Sequence, residues 1–350
     1  MNVEVSAGGT TGLGEMSDIE PAGAAPVLTE ALRTMIDGRE VPEARGWIAS
    51  RGRQWASHPP SPAERLRRHT ALGGVATALA DLAARQARTT LAEFLGGQMP
   101  RPVPVYANIN RAMRARTPGA AAELAAAALQ AGFAAVKCAP FDGLSGPDRV
   151  RAGLRIAAAV RDAIGPGAAL FIDVHHQLST SEVLAAAPEL AALNIAWLED
   201  AIPVTDVAGL LRVRHAVGCP LAGGELVADS RLLIPALRAG VLDVVLPDVK
   251  HAGGPEAALE LARIAIDHGA AVSFHNPCGP VATAASGHAM ALLPPTWPLE
   301  IAFGELGARP QSVTPPERID AGLLSLVPGA GLAITLAAEW EEQPDAARSA

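Results

Sequence analysis

Cysteine is scarce in this 350-residue chain, occurring only at Cys138, Cys219 and Cys278. An odd count without metal-ligand spacing excludes a disulfide framework and a zinc ribbon, and it fits a reduced, cytoplasmic setting in which each thiol is a small buried apolar group. Uninterrupted apolar runs are also missing. The longest candidate, the Ala-rich stretch from Ala120 to Val136, carries Glu123 and Gln130, so nothing approaches the roughly 20 residues of a membrane span. The N-terminus lacks the basic flank and apolar core of a secretory signal. The 28 Lys and Arg form no basic run, and the net charge is −8. Nucleic acid and anionic membrane are therefore not expected partners.

With 49% hydrophobic and 18% charged residues, the chain has enough apolar surface to fold as a globular protein. Its length suits a barrel plus a small second unit. Val3 to Ser6, Gly8–Gly9 and Thr10 to Glu15 predict a hairpin, because glycines supply the positive φ of a tight turn. An apolar stripe through Leu66, Leu72, Val75, Leu79, Leu82 and Leu91 predicts helix over 62–94, interrupted at Gly73–Gly74 and stopped at Gly96–Gly97. Residues 1–100 are thus expected to form an α+β cap. After Pro102, short β-type runs alternate with Ala/Leu-rich helical stretches. Strands are expected near 103–109, 134–138, 170–174, 195–199, 221–225, 241–248, 271–275 and 299–303. Eight such strands predict a closed barrel over 101–310, with 311–350 returning to the cap. A doubly wound sheet would carry a glycine-rich phosphate turn after its first strand; here Asn108, Asn110 and Arg111 stand there instead.

Six of these strands carry an ionisable residue at or near the end: Asp173, Glu199, Glu225, Asp248, His275 and Glu300, at intervals of about 25 residues. One such acid alone reads as a helix cap or rim charge. In register they point to the C-terminal rim of a (β/α)₈ barrel, where active sites of this architecture are assembled. Asp173, Glu199 and Glu225 lie on consecutive strands. Three converging carboxylates either take up protons or hold a hard cation, and oxygen ligation without cysteine suits Mg²⁺ or Mn²⁺. His275 has the pKa range of a general base, and Asp248 could orient its ring.

The motifs "FIDVHH", "WLEDAIP", "LAGGE", "LPDVKHAGG" and "SFHNPCGP" resemble those of the enolase superfamily in its mandelate racemase subgroup. The likeness runs from "GLGE" (Gly12 to Glu15) through "LAEFLGG" to "PGAGLAITL" near the C-terminus. It implies a (β/α)₇β TIM-like barrel under an α+β cap, Mg²⁺ on Asp173, Glu199 and Glu225, and removal of the proton α to a carboxylate to give an enediolate. The general pattern of the superfamily, a Lys or His base with Mg²⁺ beside the ene-diolate, assigns the same parts. The resemblance marks His275 and Asp248 as the base dyad and implies a homo-oligomer.

Racemases of the subgroup carry Lys-x-Lys after the second barrel strand; here the element is Lys137, Cys138, Ala139. Without the second lysine, simple racemisation is disfavoured. Lys137 could neutralise a substrate carboxylate, snorkel at the rim, or serve a Schiff-base aldolase. Strand alternation places His175 on the face of Asp173, with His176 pointing away. Asp-x-His is similar to the element of acid-sugar dehydratases, galactonate dehydratase especially, where the His is general acid for the departing 3-hydroxyl. The expected activity is a Mg²⁺-dependent carbon–oxygen lyase forming a 2-keto-3-deoxy acid from a sugar acid. A racemase or epimerase, another lyase of the superfamily, or a non-catalytic sugar-acid-binding descendant are the alternatives. Glu300 or Glu305 resembles the eighth-strand glutamate, expected to be protonated so that it can donate to substrate. Lys250 could reach the site or pair with a neighbouring acid. His215, His251, His268 and His288 read as surface or structural groups. Relatives carry a strand and loop ahead of "GLGE", so the cap is expected to be abbreviated or the start assigned downstream.

Overall fold

The computed structural model describes residues 1–16, 24–57, 61–98, 101–294, 297–305, 307 and 309–338. Strands β1 (Asn2–Ala7) and β2 (Thr10–Glu15) form the expected hairpin, with Gly8 and Gly9 turning the chain at φ +59° and +73°. Helices α1 (Ala24–Ile36), α2 (Val41–Ser57) and α3 (Pro62–Ala87) and the single turn α4 (Leu91–Phe94) follow. The expected interruption at Gly73–Gly74 is not found. Helix α3 starts on a Ser61 cap, runs through both glycines, and ends at Arg88 in the left-handed region; Thr90 and Glu93 then build a capping box that starts α4.

The glycines serve close approach instead. A Cβ on Gly73 would stand 2.1 Å from the Lys250 carbonyl oxygen, and one on Gly14 1.9 Å from that of Gly74. Helix α3 is therefore wedged between the hairpin and the loop carrying Asp248 and Lys250. Glu15, at the end of β2, accepts backbone N–H bonds from Gly279 (2.6 Å) and Ala282 (3.0 Å), which ties the hairpin to the start of a barrel helix.

From β3 (Val103–Asn108) strands and helices alternate: α5 (Pro118–Gln130), β4 (Ala135–Cys138), α6 (Arg149–Ile164), β5 (Ala169–Asp173), α7 (Thr180–Ala192), β6 (Trp197–Glu199), α8 (Val207–Val217), β7 (Leu221–Gly223), α9 (Ile234–Arg238), β8 (Val244–Val245), α10 (Pro255–Asp267), β9 (Ala271–Val272), α11 (Pro280–Met290) and β10 (Leu299–Ala302). Strands β3 to β9 pair in chain order, all parallel, and β10 pairs back on β3 with Leu299 opposite Val105. Backbone bonds from Trp297 to Val272 (3.1 Å) and from Glu300 to Phe274 (3.3 Å) join β10 to the β9 side and complete the ring. Strands β7 to β9 are shorter than expected. Gly224 turns at φ +99°, and Pro247 has no N–H to continue a ladder. Single bonds such as His275 N–H to Pro247 O (3.1 Å) carry the pairing onward.

Three apolar layers result. Leu32, Ile48, Leu72, Val75 and Leu79 pack within the cap. Tyr106, Phe171, Trp197, Val244 and Leu246 fill the barrel interior. The largest layer lies between strands and outer helices. The C-terminal segment continues with β11 (Val313–Thr314), β12 (Arg318–Asp320), β13 (Leu323–Ser325) and β14 (Thr335–Leu336), of which β13 adds antiparallel to β3. Leu332 N–H bonds Asp81 Oδ1 (2.6 Å) and Arg85 bonds Ile334 O (2.6 Å), so 332–334 lie on α3. Residues 339–350 lie outside the described residues.

Candidate active site

Three consecutive strand ends bring Asp173, Glu199 and Glu225 together, each offering a carboxylate oxygen within 4.8 Å of the others. All three are buried. Asp173 Oδ1 accepts the His175 backbone N–H (3.1 Å), which leaves Oδ2 free of hydrogen bonds although His175 Nε2 is 2.9 Å away off the bonding direction. Glu225 Oε2 is likewise buried without a hydrogen bond, 3.3 Å from His275 Nε2. Burial raises Glu199 well above the carboxylate range, with Asp173 adding to the effect. Burial and the Asp200 and Asp173 charges push Glu225 up to about 7 against the pull of His275. Asp173 is held low, because the Lys137 and His175 charges outweigh its burial. Two orphaned oxygens and two carboxylates reluctant to ionise, all hard donors, fit a divalent cation.

Lys137, from β4, is not at the rim. Its ammonium is buried and lies 2.5 Å from Glu199, 2.8 Å from Glu300 and 3.3 Å from Asp173. Burial alone would lower its pKa, but the carboxylates outweigh that and raise it well above normal. A Schiff-base nucleophile needs the opposite shift. Glu300 sits near the start of β10, inside the barrel, and also accepts from Asn108 and from the Asn276 backbone N–H (3.0 Å). Burial would raise its pKa, but Lys137 and His275 outweigh that and lower it, which favours the ionised form over the expected protonated one. Glu305 pairs instead with Arg111 (3.3 Å), away from the cluster.

His275 and Asp248 meet as expected, Nδ1 to Oδ2 at 2.8 Å. Burial disfavours the imidazolium, yet Glu225, Glu300 and the Asp248 hydrogen bond push His275 up to about 9. Asp248 Oδ1 accepts the Lys250 backbone N–H (2.6 Å), and the Lys250 ammonium is 3.7 Å from Oδ2. His251 belongs to the same group: its Nε2 is 3.6 Å from Asp248 Oδ2, and its Nδ1 is 2.9 Å from Thr70 on α3. His288 is buried against the Ala92 N–H (3.3 Å), while His215 and His268 are exposed.

His175 reaches Asp173, but not through strand alternation. Strand β5 stops at Asp173, and His175 and His176 both lie in the left-handed region at φ +47° and +52°. His176 turns toward Asp200 (3.9 Å). His175 Nδ1 is 2.9 Å from both oxygens of Asp142, in the loop after β4. Its burial disfavours the cation, but Asp173 and Asp142 push it up to about 12. Asp142 carries no signal in the sequence, since a lone acid in "APFDG" follows no spacing rule.

A family profile described as enolase C-terminal domain-like matches residues 120–340. The chain belongs to this family. Among curated relatives, a D-gluconate dehydratase of Thermoproteus tenax is 30% identical over 66% of this chain and 47% of its own length. A D-galactarolactone cycloisomerase of Agrobacterium fabrum is 31% identical over 59% and 53%. The chain thus spans about half the length of these two relatives. A D-xylonate dehydratase of Haloferax volcanii is 26% identical over 76% of this chain and 67% of that one. The structure of a mandelate racemase/muconate lactonizing enzyme from Jannaschia sp. CCS1 superposes with a TM-score of 0.81, 26% identity and coverage of 96% and 89%. An enolase-superfamily member from Salmonella Typhimurium gives 0.85 at 21% identity, covering 98% and 94%, a likeness of fold. No helix among the described residues is long and apolar enough to cross a membrane.

Proposed function

We propose that this protein is a dehydratase of a sugar acid, dependent on Mg²⁺ or a similar divalent cation held by Asp173, Glu199 and Glu225. The observation that supports it is the pair of imidazole–carboxylate units flanking the carboxylate triad. His175 follows the third barrel strand and His275 the seventh, opposite positions in a ring of eight, with Nε2 of each beside a different member of the triad. The dehydratases among the relatives agree with this reading.

A carbon acid next to a carboxylate is weak because its second negative charge falls on the same oxygens. The cation supplies Lewis-acid stabilisation of that charge. With Asp248 accepting at Nδ1, His275 keeps its Nε2 lone pair for the C2 proton. The C2–H electrons pass first onto the carboxylate group, giving an enediolate, and then return to form the C2–C3 double bond as the C3–O bond breaks. His175, held cationic by Asp142 and Asp173, gives its Nε2 proton to the departing oxygen, which leaves as water. The enol tautomerises to the 2-keto-3-deoxy acid.

Aldonic and aldaric acids incubated with the protein and Mg²⁺, with 2-keto-3-deoxy product measured as its semicarbazone, test this reading. At least one acid is expected to give product. Exchange at C2 without keto product would mark an epimerase instead, and neither, from protein that binds Mg²⁺, would mark a sugar-acid-binding descendant. Borohydride with a keto acid is expected to leave Lys137 unmodified.

A further inference from the structure

The barrel interior beneath the carboxylates is aromatic. Trp197 stacks on Phe171 at 3.6 Å with an interplanar angle of 5°, and meets Tyr106 and Trp297 edge-on at 5.7 and 5.2 Å. Alternation along β6 puts Trp197 and Glu199 on the same inner face. The indole Nε1–H donates to Glu199 Oε2 at 2.9 Å, while Lys137 holds Oε1. Both residues are fully buried. With its ring clamped on three sides, Trp197 can present its N–H in one direction only.

We infer that Trp197 is a positioning residue for the cation site, fixing the Glu199 carboxylate between an indole below and the ammonium beside it. The inference rests on the proposed cation site but not on the sugar-acid reaction. A carboxylate held at one oxygen only could rotate about its last torsion, and a ligand that must be ordered on binding binds less tightly. Partners that hydrogen-bond a metal ligand typically contribute 10–100-fold in affinity. The competing account is that Glu199 merely satisfies a buried indole, in which case Trp197 matters to folding and not to the cation.

Trp197→Phe removes the N–H while keeping a flat ring on Phe171. Mn²⁺ binding is followed by electron paramagnetic resonance and Mg²⁺ binding by calorimetry, beside a thermal melt. The inference expects both cations to bind 10–100-fold more weakly in a folded variant. Affinity within twofold of the unsubstituted protein, with only the melting temperature lowered, overturns it. Should the variant not fold, the indole ¹H–¹⁵N signal of Trp197 in the unsubstituted protein, assigned by its contacts with Phe171, decides: it is expected to shift on saturation with Mg²⁺, and an unmoved signal overturns the inference. A protein that binds neither cation overturns both this inference and the proposed site. Weakened binding in a protein that converts no sugar acid upholds the inference and counts against the reaction alone.

Discussion

Asp142 holds His175 through both of its carboxylate oxygens, each 2.9 Å from Nδ1. Across the barrel, Asp248 holds His275 Nδ1 at 2.8 Å. The two imidazoles are therefore built alike, each fixed at Nδ1 and turned with Nε2 toward the carboxylate triad. Their charges differ in what they answer to. At Nε2, His175 faces Asp173 at 2.9 Å, a carboxylate whose pKa is held low, whereas His275 faces Glu225 at 3.3 Å, whose own pKa is raised.

If Asp142 orients the proton donor, Asp142→Asn slows loss of the 3-hydroxyl without stopping removal of the C2 proton. A fall of about 10–100-fold in keto-acid formation is expected, at or below the roughly 10²–10⁴-fold that general acid–base catalysis contributes, because the donor itself remains. Deuterium uptake at C2 should persist, because the anion formed returns to substrate. Parallel loss of both would place Asp142 outside the acid half of the reaction.

The pH dependence has a definite sign. As the proposed base, His275 can act only after losing its proton, and its pKa is raised to about 9 because the Glu225 and Glu300 charges and the Asp248 hydrogen bond overcome burial. Activity should therefore rise with pH as the imidazolium deprotonates. A cation on Glu225 cancels part of that pull, so the rising limb should move to lower pH as Mg²⁺ goes from limiting to saturating. A pH–rate profile at two Mg²⁺ concentrations checks this; a limb that ignores Mg²⁺ contradicts it.

Much of this site is legible as spacing. Acids recurring once per βα unit mark strand ends, and parallel strands in a barrel bring strand ends together, so the triad and the His275–Asp248 pair follow from periodicity. Asp142 does not, because it comes from a loop whose path no period predicts. Gly73 misleads because propensity treats glycine as a helix breaker, while here the lack of a Cβ lets α3 touch the Lys250 carbonyl. The expectation of a protonated Glu300 fails on the balance of charge. Burial and like charge favour the proton, but the ammonium of Lys137, expected toward substrate or solvent, is buried 2.8 Å away and outweighs them. The left-handed pair His175–His176 shows why alternation fails just past a strand's last residue.

Lys137 balances three buried carboxylates, and removing one partner of a buried ion pair leaves charge uncompensated. Lys137→Met is expected to cost about 3–5 kcal/mol of stability by urea unfolding. Added Mg²⁺ should restore part of it, since a divalent ion supplies the missing positive charge. An equal Mg²⁺ response in both proteins would contradict that charge-balance account.

His288 is fully buried, and burial lowers its pKa to about 4 from 6.5. Between those values the unfolded chain binds a proton that the folded chain refuses. Stability should therefore fall as pH drops from 6.5 toward 4, by up to about 1.4 kcal/mol per pH unit from this group. His288→Gln, which retains an acceptor for the Ala92 N–H, should flatten the dependence of the urea midpoint on pH. An unchanged slope would show that His288 does not carry it.

The central claim, that the triad and His275 together remove a proton next to a carboxylate, is tested most directly by proton NMR of sugar acids in D₂O with the protein and Mg²⁺. The account predicts deuterium at C2 of a substrate acid, or at C3 of the keto acid formed from it, abolished by EDTA and lowered at least about 100-fold in His275→Asn. Full-rate exchange in His275→Asn, or no exchange in any acid with Mg²⁺ bound, would contradict it.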